Sequence, residues 1–249
     1  MTLTRLEVLR MIRTHRWMAL FGIYLFFGLI GPLTARYMND LIEHFGTGDM
    51  TIIAPDPEPV DGIIQFIGNA SQLGLLAVVL IAAAALSVDS RPEIAAFLRT
   101  KVTRAGALVI PRFAIAASTA VAALIAGTAV AWAMTATLLG GLPTAAMIVG
   151  TLLGAIYLVF AVALVAAISG FIRSIPGIAL GSLAVLVLMP VLALAPAVGT
   201  WLPSHLFAAV AALVEGEAAT EFIPAAVVSV IATAGLMLLA MRRYDLREL

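Results

Sequence analysis

Cysteine is absent from this sequence, lysine occurs once, and charged residues make up only 11% of the 249 residues. The absence of cysteine excludes disulfides, thiol nucleophiles and cysteine metal sites. A soluble domain usually carries about a quarter charged residues, so this chain has too few to cover a surface that faces water. Hydrophobic residues account for 63% of the sequence, and the mean hydropathy is +1.11. Lipid is therefore the solvent for most of the chain.

The motifs that drive active transport or catalysis are also missing. A phosphate-binding loop needs a glycine-rich stretch before Lys-Ser or Lys-Thr, whereas the single lysine, Lys101, follows Leu-Arg-Thr and precedes valine. The three histidines fall in terminal or external segments and form no His-Glu-x-x-His pair, the pattern of a helical metalloprotease. The sequence therefore predicts no catalytic, cofactor-binding or metal-binding residue in this chain.

Six apolar stretches are long enough, or nearly so, to cross a hydrocarbon core that needs roughly 20 helical residues. Their continuous rather than alternating apolar character favours helices over the strands of a membrane barrel. None carries an ionisable residue at its middle, where ion-driven carriers bind the coupling ion. The predicted spans are 17–35, 63–86, 108–139, 144–168, 176–198 and 222–241.

Basic and acidic residues are divided between the two sides of this predicted bundle. With the N-terminus inside, 13 of the 14 basic residues fall in cytoplasmic segments and only Arg36 lies outside, whereas 9 of the 14 acidic residues are external. Short cytoplasmic loops carry an excess of Lys and Arg, so both termini are predicted to be cytoplasmic. Arg112, near the start of the third span, is predicted to extend to the membrane interface.

Two segments outside the spans have a recognisable character. Residues 1–16 place leucines at helical spacing with arginines on the other side, which predicts a basic amphipathic helix in the inner membrane interface. The external loop 36–62 has a helical pattern over 37–45 and a proline-rich part, 54–60. Closely spaced prolines favour a stiff, extended spacer.

The cytoplasmic loop 87–107 is the most informative segment of the sequence. Glu93 is favourably placed near the positive end of a short predicted helix. Ile94, Phe97 and Leu98 share one face of that helix at i, i+3, i+4 spacing. A short helix with an aromatic side chain suits docking into a groove on another protein. The residues alone leave open a second interpretation, a helix on the membrane surface with this apolar face in lipid.

Residues from about 29 to 112 resemble the permease subunits of ABC-2-type ATP-binding-cassette exporters. The family's usual pattern after the second span is an acidic residue, a glycine-containing short helix and a leucine-rich piece that ends in Pro-Val-Ser-Arg. This chain has Lys101 in place of the proline, Thr103 in place of the serine and no glycine in the helix. The similar parts are Gly31-Pro32-Leu33, a proline-rich external segment, Asp89-Ser90-Arg91-Pro92-Glu93, Ala95 to Arg104 (Leu98, Val102 and Arg104 matching) and the basic ending 241–246.

The resemblance implies an all-α polytopic membrane protein with an ABC-2, type V exporter-like architecture. A single transmembrane domain, 1–249, would hold six transmembrane helices, an N-terminal amphipathic elbow helix (1–16), a cytoplasmic coupling loop (87–107) and an external hairpin (199–221). The resemblance assigns Leu6, Leu9, Arg10 and Arg13 to the elbow helix. It assigns the ATPase-coupling contacts to Arg91, Glu93, Ile94, Phe97, Leu98, Lys101 and Arg104.

The resemblance also implies partners. Two copies of an ATPase subunit, which bind ATP and magnesium, would drive this chain and a second permease subunit, either identical or diverged, in a bacterial plasma membrane. We expect contact with membrane lipid and none with nucleic acid. An uncharged interior suits an amphiphilic or hydrophobic substrate, such as a drug, a lipid or a peptide. The rival interpretations are a non-transporting scaffold or sensor and a lipid-processing enzyme, although Asp89 and Glu93 lack a histidine partner.

Two questions stay open from the sequence alone. The Gly-x-x-x-Gly patterns at 150–154 and 177–181 favour close helix approach, either within one subunit or between subunits. The uncharged polar residues of the spans either bond within the bundle or line a substrate path. They are Asn69, Ser71, Gln72, Thr119, Thr128, Thr135, Thr151, Tyr157, Ser182 and Thr233.

Overall fold

The computed structural model describes residues 3–45, 56–87 and 106–246. Every regular element in this part of the chain is helical, and six helices are long and apolar enough to cross a membrane. The prediction of an all-helical, multi-pass membrane protein is therefore confirmed. The α-helices are α1 (Leu3–Arg13), α2 (Arg16–Phe45), α3 (Pro59–Asn69), α4 (Leu75–Leu86), α5 (Gly106–Leu138), α6 (Thr144–Ser169), α7 (Ile175–Leu192), α8 (Pro196–Gly199), α9 (Ala209–Glu215) and α10 (Ile223–Asp245).

The spans are α2, α3 with α4, α5, α6, α7 and α10. An even number of crossings brings the two ends of the described chain to the same side of the bundle. We call this the terminal side, and the opposite side the far side. The last residues of α4 and α6 and the first residues of α5 and α7 also lie on the terminal side.

A sharp turn at His15 joins α1 to α2. The hydroxyl of Thr14 donates a hydrogen bond of 2.7 Å to the carbonyl oxygen of Arg10 at the end of α1. His15 adopts the left-handed backbone conformation, with a φ of 55°. Helix α2 then continues through Pro32, so the helical pattern predicted over 37–45 is the end of the helix that forms the first span.

The second span begins earlier than predicted and contains a π-helical segment. The backbone N–H of Glu58 donates to the carboxylate of Asp61 at 2.7 Å, and the first turn starts at Pro59 rather than at residue 63. The last two residues of the proline-rich part are therefore helical rather than extended. Between α3 and α4, Ala70–Gly74 form a π-helix, an arrangement that is rare and frequently found at functional sites.

Helix α6 is the central helix of the bundle. Leu158, Val162 and Val165 are completely buried, and α6 packs against α4, α5, α7 and α10. A helix that is apolar on all sides is expected in such a position. Helix α7 is shorter than the predicted fifth span and ends at Leu192 rather than at residue 198, because the chain turns before α8 begins at a proline.

The segment between α7 and α10 folds back into the bundle from the far side. The 3₁₀-helix Pro203–Phe207 leads into α9, and Gly216, with a φ of 102°, ends that helix. The ring of Phe207 meets Tyr157 edge to face, with 5.3 Å between the ring centroids. Tyr157 lies thirteen residues into α6, about 20 Å along its axis. The segment is therefore a re-entrant hairpin between the fifth and sixth spans.

Candidate functional site

The predicted coupling segment, residues 88–105 of the loop 87–107, lies outside the described residues. Its two flanks are described: α4 ends at Leu86, Ser87 follows it, and α5 begins at Gly106. Both flanks lie on the terminal side of the bundle. The ATPase-coupling role stays a prediction for Arg91, Glu93, Ile94, Phe97, Leu98, Lys101 and Arg104.

The predicted N-terminal helix is present as α1, but its buried face differs from the predicted leucine face. Met11 is buried, and Glu7 is turned toward the bundle, whereas Leu6 and Ile12 are exposed. Helix α1 packs against α5 and α2. The exposed apolar side chains leave a surface that lipid can cover, and the elbow role stays a prediction. The other predicted elbow residues are half-buried or exposed: Leu9, Arg10 and Arg13.

Arg112 is the one charged side chain that is buried in the part of the chain that the structure describes, with 6% of it exposed. Its Nε donates a hydrogen bond of 3.0 Å to Oε1 of Glu7, and the other carboxylate oxygen lies 3.7 Å from Arg10. Arg112 thus reaches toward the helix that precedes the first span, and its extension to the membrane interface stays a prediction. Protein encloses this side chain, and a carboxylate from α1 neutralises it.

Most uncharged polar side chains of the spans form hydrogen bonds within their own helices. Among the uncharged polar residues named from the sequence, four hydroxyls donate to the carbonyl oxygen four residues earlier at 2.6–2.7 Å: those of Thr119, Thr151, Ser182 and Thr233. Thr128 and Thr135 are buried, and their hydroxyls have no hydrogen-bond partner within the described residues. These six side chains are placed for packing inside the bundle, so they are weak candidates for recognising a substrate.

An exposed polar surface remains in the middle of the second span. Gly68 and Gln72 are exposed there, while Asn69 and Ser71 are half-buried. The side-chain amide of Asn69 donates a hydrogen bond of 2.8 Å to the carbonyl oxygen of Gln65. The hydroxyl of Ser71 donates one of the same length to the carbonyl oxygen of Gly68. We call Gly68, Asn69, Ser71 and Gln72 the polar face. Asn69 is ten residues into the span, about 15 Å from its far-side end.

This depth makes the polar face unusual. A hydrocarbon core is about 30 Å thick, so the polar face lies near the middle of the membrane. The hydrocarbon of lipid tails offers no hydrogen bond to the exposed amide of Gln72. Two of its members, Ser71 and Gln72, belong to the π-helix. We therefore expect this surface to be covered by a group that can form hydrogen bonds.

An apolar groove of about 530 Å³ lies beside the polar face, between α2 and the second span. Leu73, the next residue after Gln72, is part of its wall. An apolar cleft with a few adjacent polar groups is the usual chemistry of a site for an amphiphilic small molecule. The lining residues are Gly22, Ile23, Phe26, Phe27, Leu73, Leu76, Ala77 and Leu80.

A second groove, of about 210 Å³, lies between α5 and α6. None of its lining residues belongs to the second span, and two threonines are in its wall. One of them, Thr151, already donates its hydrogen to Met147. The lining residues are Ile125, Thr128, Ala129, Trp132, Met147, Ile148, Thr151 and Leu152.

Within residues 3–45, 56–87 and 106–246, no group of three or more His, Asp and Glu side chains is assembled in a way that could hold a metal ion. No protein-family model matches the chain, no curated protein matches its sequence, and no solved structure matches its fold. The class that the fold defines is that of a multi-pass helical membrane protein. The polar face with its groove is its best candidate for a functional surface.

Proposed function

We propose that the chain is the membrane-spanning permease subunit of an ATP-driven exporter of the ABC-2 type. It moves an amphiphilic or hydrophobic substrate, such as a drug, a lipid or a peptide, out of a bacterial cell. Two copies of a separate ATPase, with ATP and magnesium, drive a pair of permease subunits in the plasma membrane. The terminal side is the cytoplasmic side, in agreement with the distribution of basic residues.

One observation carries this proposal: the charge buried in the described spans is already neutralised. Arg112 is held by Glu7 at 3.0 Å, six residues into α5 and therefore about 9 Å from its terminal-side end. An ion-driven carrier needs a titratable group inside the membrane that can bind and release the coupling ion. The described spans present no Asp, Glu, His, Lys or Arg side chain near mid-depth, which supports a source of free energy outside this chain.

Two further features support the same class. The resemblance implies a helical hairpin that dips toward the membrane between the fifth and sixth spans, and such a hairpin packs against α6 through Phe207 and Tyr157. The resemblance also implies a helix before the first span, and α1 occupies that place. Docking of α1 on α5 connects the start of the chain to the helix that follows the predicted coupling segment.

In this proposal, the polar face contacts the second permease subunit, and the adjoining groove borders the substrate path. The partner supplies the hydrogen-bonding groups that lipid lacks for Gln72. Gly68 favours a close approach, because no atom lies within 4 Å of the position that a Cβ would occupy there. The apolar wall of the groove suits the hydrophobic part of an amphiphile.

The coupling assignment is tested by copurification of the full-length chain with the product of an adjoining ATPase reading frame. Phe97→Asp with Leu98→Asp places two charges on the predicted docking face, and we expect the ATPase to be lost from the complex. Ala96→Asp with Thr100→Asp adds the same charges to the opposite face of the same predicted helix. Equal ATPase retention by the two double variants would show that the assignment is wrong.

The partner contact is tested by oxidative cross-linking, for which the natural chain has no background cysteine. Gly68→Cys is expected to give a cross-linked permease pair in membranes. Ile231→Cys lies at similar depth on α10, where it is 67% exposed, and we expect no cross-link there. A cross-link at residue 231 and none at residue 68 would contradict the assignment of the polar face.

The rival function, a non-transporting scaffold or sensor, makes a different prediction. Such a protein forms the cross-linked pair through the polar face but binds no ATPase under any condition of purification. A complex with ATPase activity that is stimulated by amphiphiles supports the exporter. Stimulation only by small polar solutes or ions would instead contradict the proposed substrate class.

A further inference from the structure

The apolar groove beside the polar face lies where α2 parts from the second span on its way to the terminal side. Helix α2 packs more closely against α3 than against α4. A Cβ at Gly31 would lie 2.8 Å from the backbone nitrogen of Phe66 in α3, so the two helix backbones are in close contact there. The residues of the second span that line the groove, from Leu73 to Leu80, belong instead to the π-helix and α4. The groove is therefore a gap between two helices that are held together farther from the terminal side.

The groove occupies the half of the membrane that adjoins the terminal side. Gly22 lies six residues into α2, and Leu80 lies six residues before the end of α4, so each is about 9 Å from that side. Leu73, the deepest lining residue of the second span, is thirteen residues before the end of α4, or about 20 Å. A hydrocarbon core is about 30 Å thick, and each leaflet fills half of it. The groove therefore lies at the depth of the acyl chains of the terminal-side leaflet.

The groove is also open to this leaflet along its length. Phe26, Leu73 and Leu80 line it and are exposed, whereas Ala77 is buried. Gly22 contributes no side chain, and no atom lies within 4 Å of the position that a Cβ would occupy there. A narrow, flexible and wholly apolar acyl chain fits a cleft with this lining. Since lipid tails are as apolar as the lining, the contact is held by van der Waals packing, and selection of one lipid over another requires a polar group nearby.

A basic side chain lies on the same face of α2, beyond the terminal-side end of the groove. Arg16 begins α2 and precedes the lining residue Ile23 by seven positions, which is close to two helical turns and about 10 Å along the axis. Ala19, between them, is small and exposed. Arg16 is half-buried, and no carboxylate among the described residues forms an ion pair with it. A guanidinium group binds phosphate through paired hydrogen bonds, so Arg16 suits the head group of a phospholipid.

We propose that this groove is a binding site for an anionic phospholipid of the terminal-side leaflet, with one acyl chain between α2 and α4 and the head-group phosphate at Arg16. A head group with a net negative charge is favoured, because the ammonium group of a zwitterionic lipid opposes the attraction to arginine. The bound chain joins α2 to α4 where few of their own side chains meet. The inference goes beyond the proposed function, since it requires neither an ATPase nor transport.

The site is tested on the full-length chain without an ATPase, in nanodiscs of phosphatidylcholine. A small share of the lipid is phosphatidylglycerol with a photoreactive diazirine in one acyl chain, and labelled peptides are identified by mass spectrometry after illumination. We expect more label on residues 22–27 and 73–80 than around Ile231, which is 67% exposed on α10 and outside the groove. Equal labelling of these regions would show that only ordinary surrounding lipid contacts the groove, and would overturn the proposal.

Competition identifies the chemical group that is bound. Unlabelled phosphatidylglycerol is expected to displace the label from residues 73–80, whereas the same amount of additional phosphatidylcholine is not. Soluble glycerol phosphate carries the same anionic group without acyl chains, and it should not displace the label either. Displacement by glycerol phosphate would show that the acyl chain contributes nothing to the site, and equal displacement by the two lipids would show that the charge contributes nothing. Either result would overturn the proposal.

Gly22→Leu tests whether the label reaches the groove itself. The added side chain occupies the groove without a clash, because the space around a Cβ at residue 22 is open. We expect most of the displaceable label on residues 73–80 to be lost. Gly235→Leu is the matched control: Gly235 is also exposed, with no atom within 4 Å of a Cβ, but it lies on α10. Labelling that is the same in the two variants would overturn the assignment of the groove.

Arg16→Gln tests the head-group contact. One arginine near the membrane surface strengthens binding of an anionic lipid enough that its loss should raise the phosphatidylglycerol concentration for half-displacement roughly five-fold. Arg173→Gln removes an exposed arginine from the same side of the bundle, between α6 and α7, and should leave that concentration unchanged. If the two variants behave alike, the effect belongs to the total surface charge, and Arg16 does not hold the head group.

A second copy of the chain is the other occupant that the experiment detects. In that case Leu80→Cys, in a chain without other cysteines, would form a disulfide-linked pair in membranes, and residues 73–80 would carry no displaceable label. That combination would overturn the lipid site. Because no ATPase is present in these measurements, a failure to copurify an ATPase would refute the proposed function and leave the lipid result standing.

Discussion

The Nε of Arg112 donates a hydrogen bond of 3.0 Å to Oε1 of Glu7, across 105 residues of sequence. The two side chains are 6% and 15% exposed, respectively. Charges that are removed from water require a partner, so this ion pair fixes α1 to α5 as part of the bundle. The pair therefore explains how the N-terminal helix keeps a defined place beside the third span.

Replacement of Arg112 alone is expected to lower the free energy of unfolding more than replacement of both Arg112 and Glu7. Arg112→Met leaves the carboxylate of Glu7 without its buried partner, which costs about 3–5 kcal/mol of stability. Arg112→Met with Glu7→Leu replaces both charges by apolar groups and should recover most of that loss. Unfolding is followed in detergent micelles by chemical denaturation, and a double-mutant cycle gives the coupling free energy.

Arg10→Gln is the control for this cycle. Arg10 approaches the same carboxylate at a longer distance, 3.7 Å, and its side chain is 40% exposed, so solvent screens the interaction and the loss should stay below about 1 kcal/mol. The importance of burial would be refuted if Arg10→Gln destabilised the chain as much as Arg112→Met. Equal instability of the single Arg112→Met variant and the double variant would refute the pairing.

The contact between Gly150 and the re-entrant hairpin supplies a second prediction. A Cβ at residue 150 would lie 2.5 Å from the Cα of Val210 and 2.9 Å from its backbone nitrogen. Because backbone atoms cannot turn aside as the end of a side chain can, Gly150→Ala must displace α9 from α6. We expect a loss of about 1–3 kcal/mol, the usual cost of overpacking, measured by thermal unfolding.

Gly235→Ala is the matched control, because no atom lies within 4 Å of the position that a Cβ would occupy at residue 235 in α10. Alanine is favoured over glycine in a helix interior by roughly 0.5–1 kcal/mol, so this variant should unfold at the same temperature as the parent or higher. A lower unfolding temperature for Gly235→Ala than for Gly150→Ala would contradict the role of the hairpin contact.

The spans could be predicted because a membrane helix consists of consecutive apolar residues. Contacts between segments that are distant in sequence could not be predicted, because no local pattern names the partner. The pattern at 150–154 indicated only that some helix approaches closely, and the structure shows that its partner is Val210, sixty residues away. Likewise, a basic residue near the end of a span is normally explained by snorkelling. Only the three-dimensional position of Glu7 shows that Arg112 is buried.

The uncharged polar residues illustrate the same limit. Hydroxyls such as that of Thr151 bond to their own helix, and any serine or threonine in a helix can do so. What distinguishes Gln72 is that its face points away from the bundle, which depends on the register of the whole span. The π-helix at Ala70–Gly74 shifts that register, and neither the apolar pattern nor the spacing of polar residues in the second span predicts a π-helix.

The aromatic contact in the hairpin supplies a third prediction. Phe207 is 5% exposed and meets Tyr157 edge to face. Phe207→Ala removes that ring and leaves a cavity beside α6, with an expected cost of about 3–5 kcal/mol. Trp201→Ala removes a larger side chain from the same segment, but Trp201 is 54% exposed, so its removal leaves no cavity. Chemical denaturation compares the two, and a larger loss for Trp201→Ala would show that the hairpin is not packed through Phe207.

The amide of Gln72 supplies the last prediction. Gln72→Leu makes the exposed mid-membrane surface apolar, so a partner subunit that now satisfies the amide would lose a hydrogen bond across the interface. Such bonds contribute about 0.6–2 kcal/mol between helices in membranes, which corresponds to a dissociation constant that rises roughly 3- to 30-fold. Energy transfer between fluorophore-labelled chains, measured over a range of protein-to-lipid ratios, gives that constant. Ile231→Leu, on the lipid-exposed side of α10, should leave it unchanged. If Gln72→Leu instead associates as tightly as the parent, the amide is covered by something other than a second permease, and the pairing surface must be sought elsewhere on the bundle.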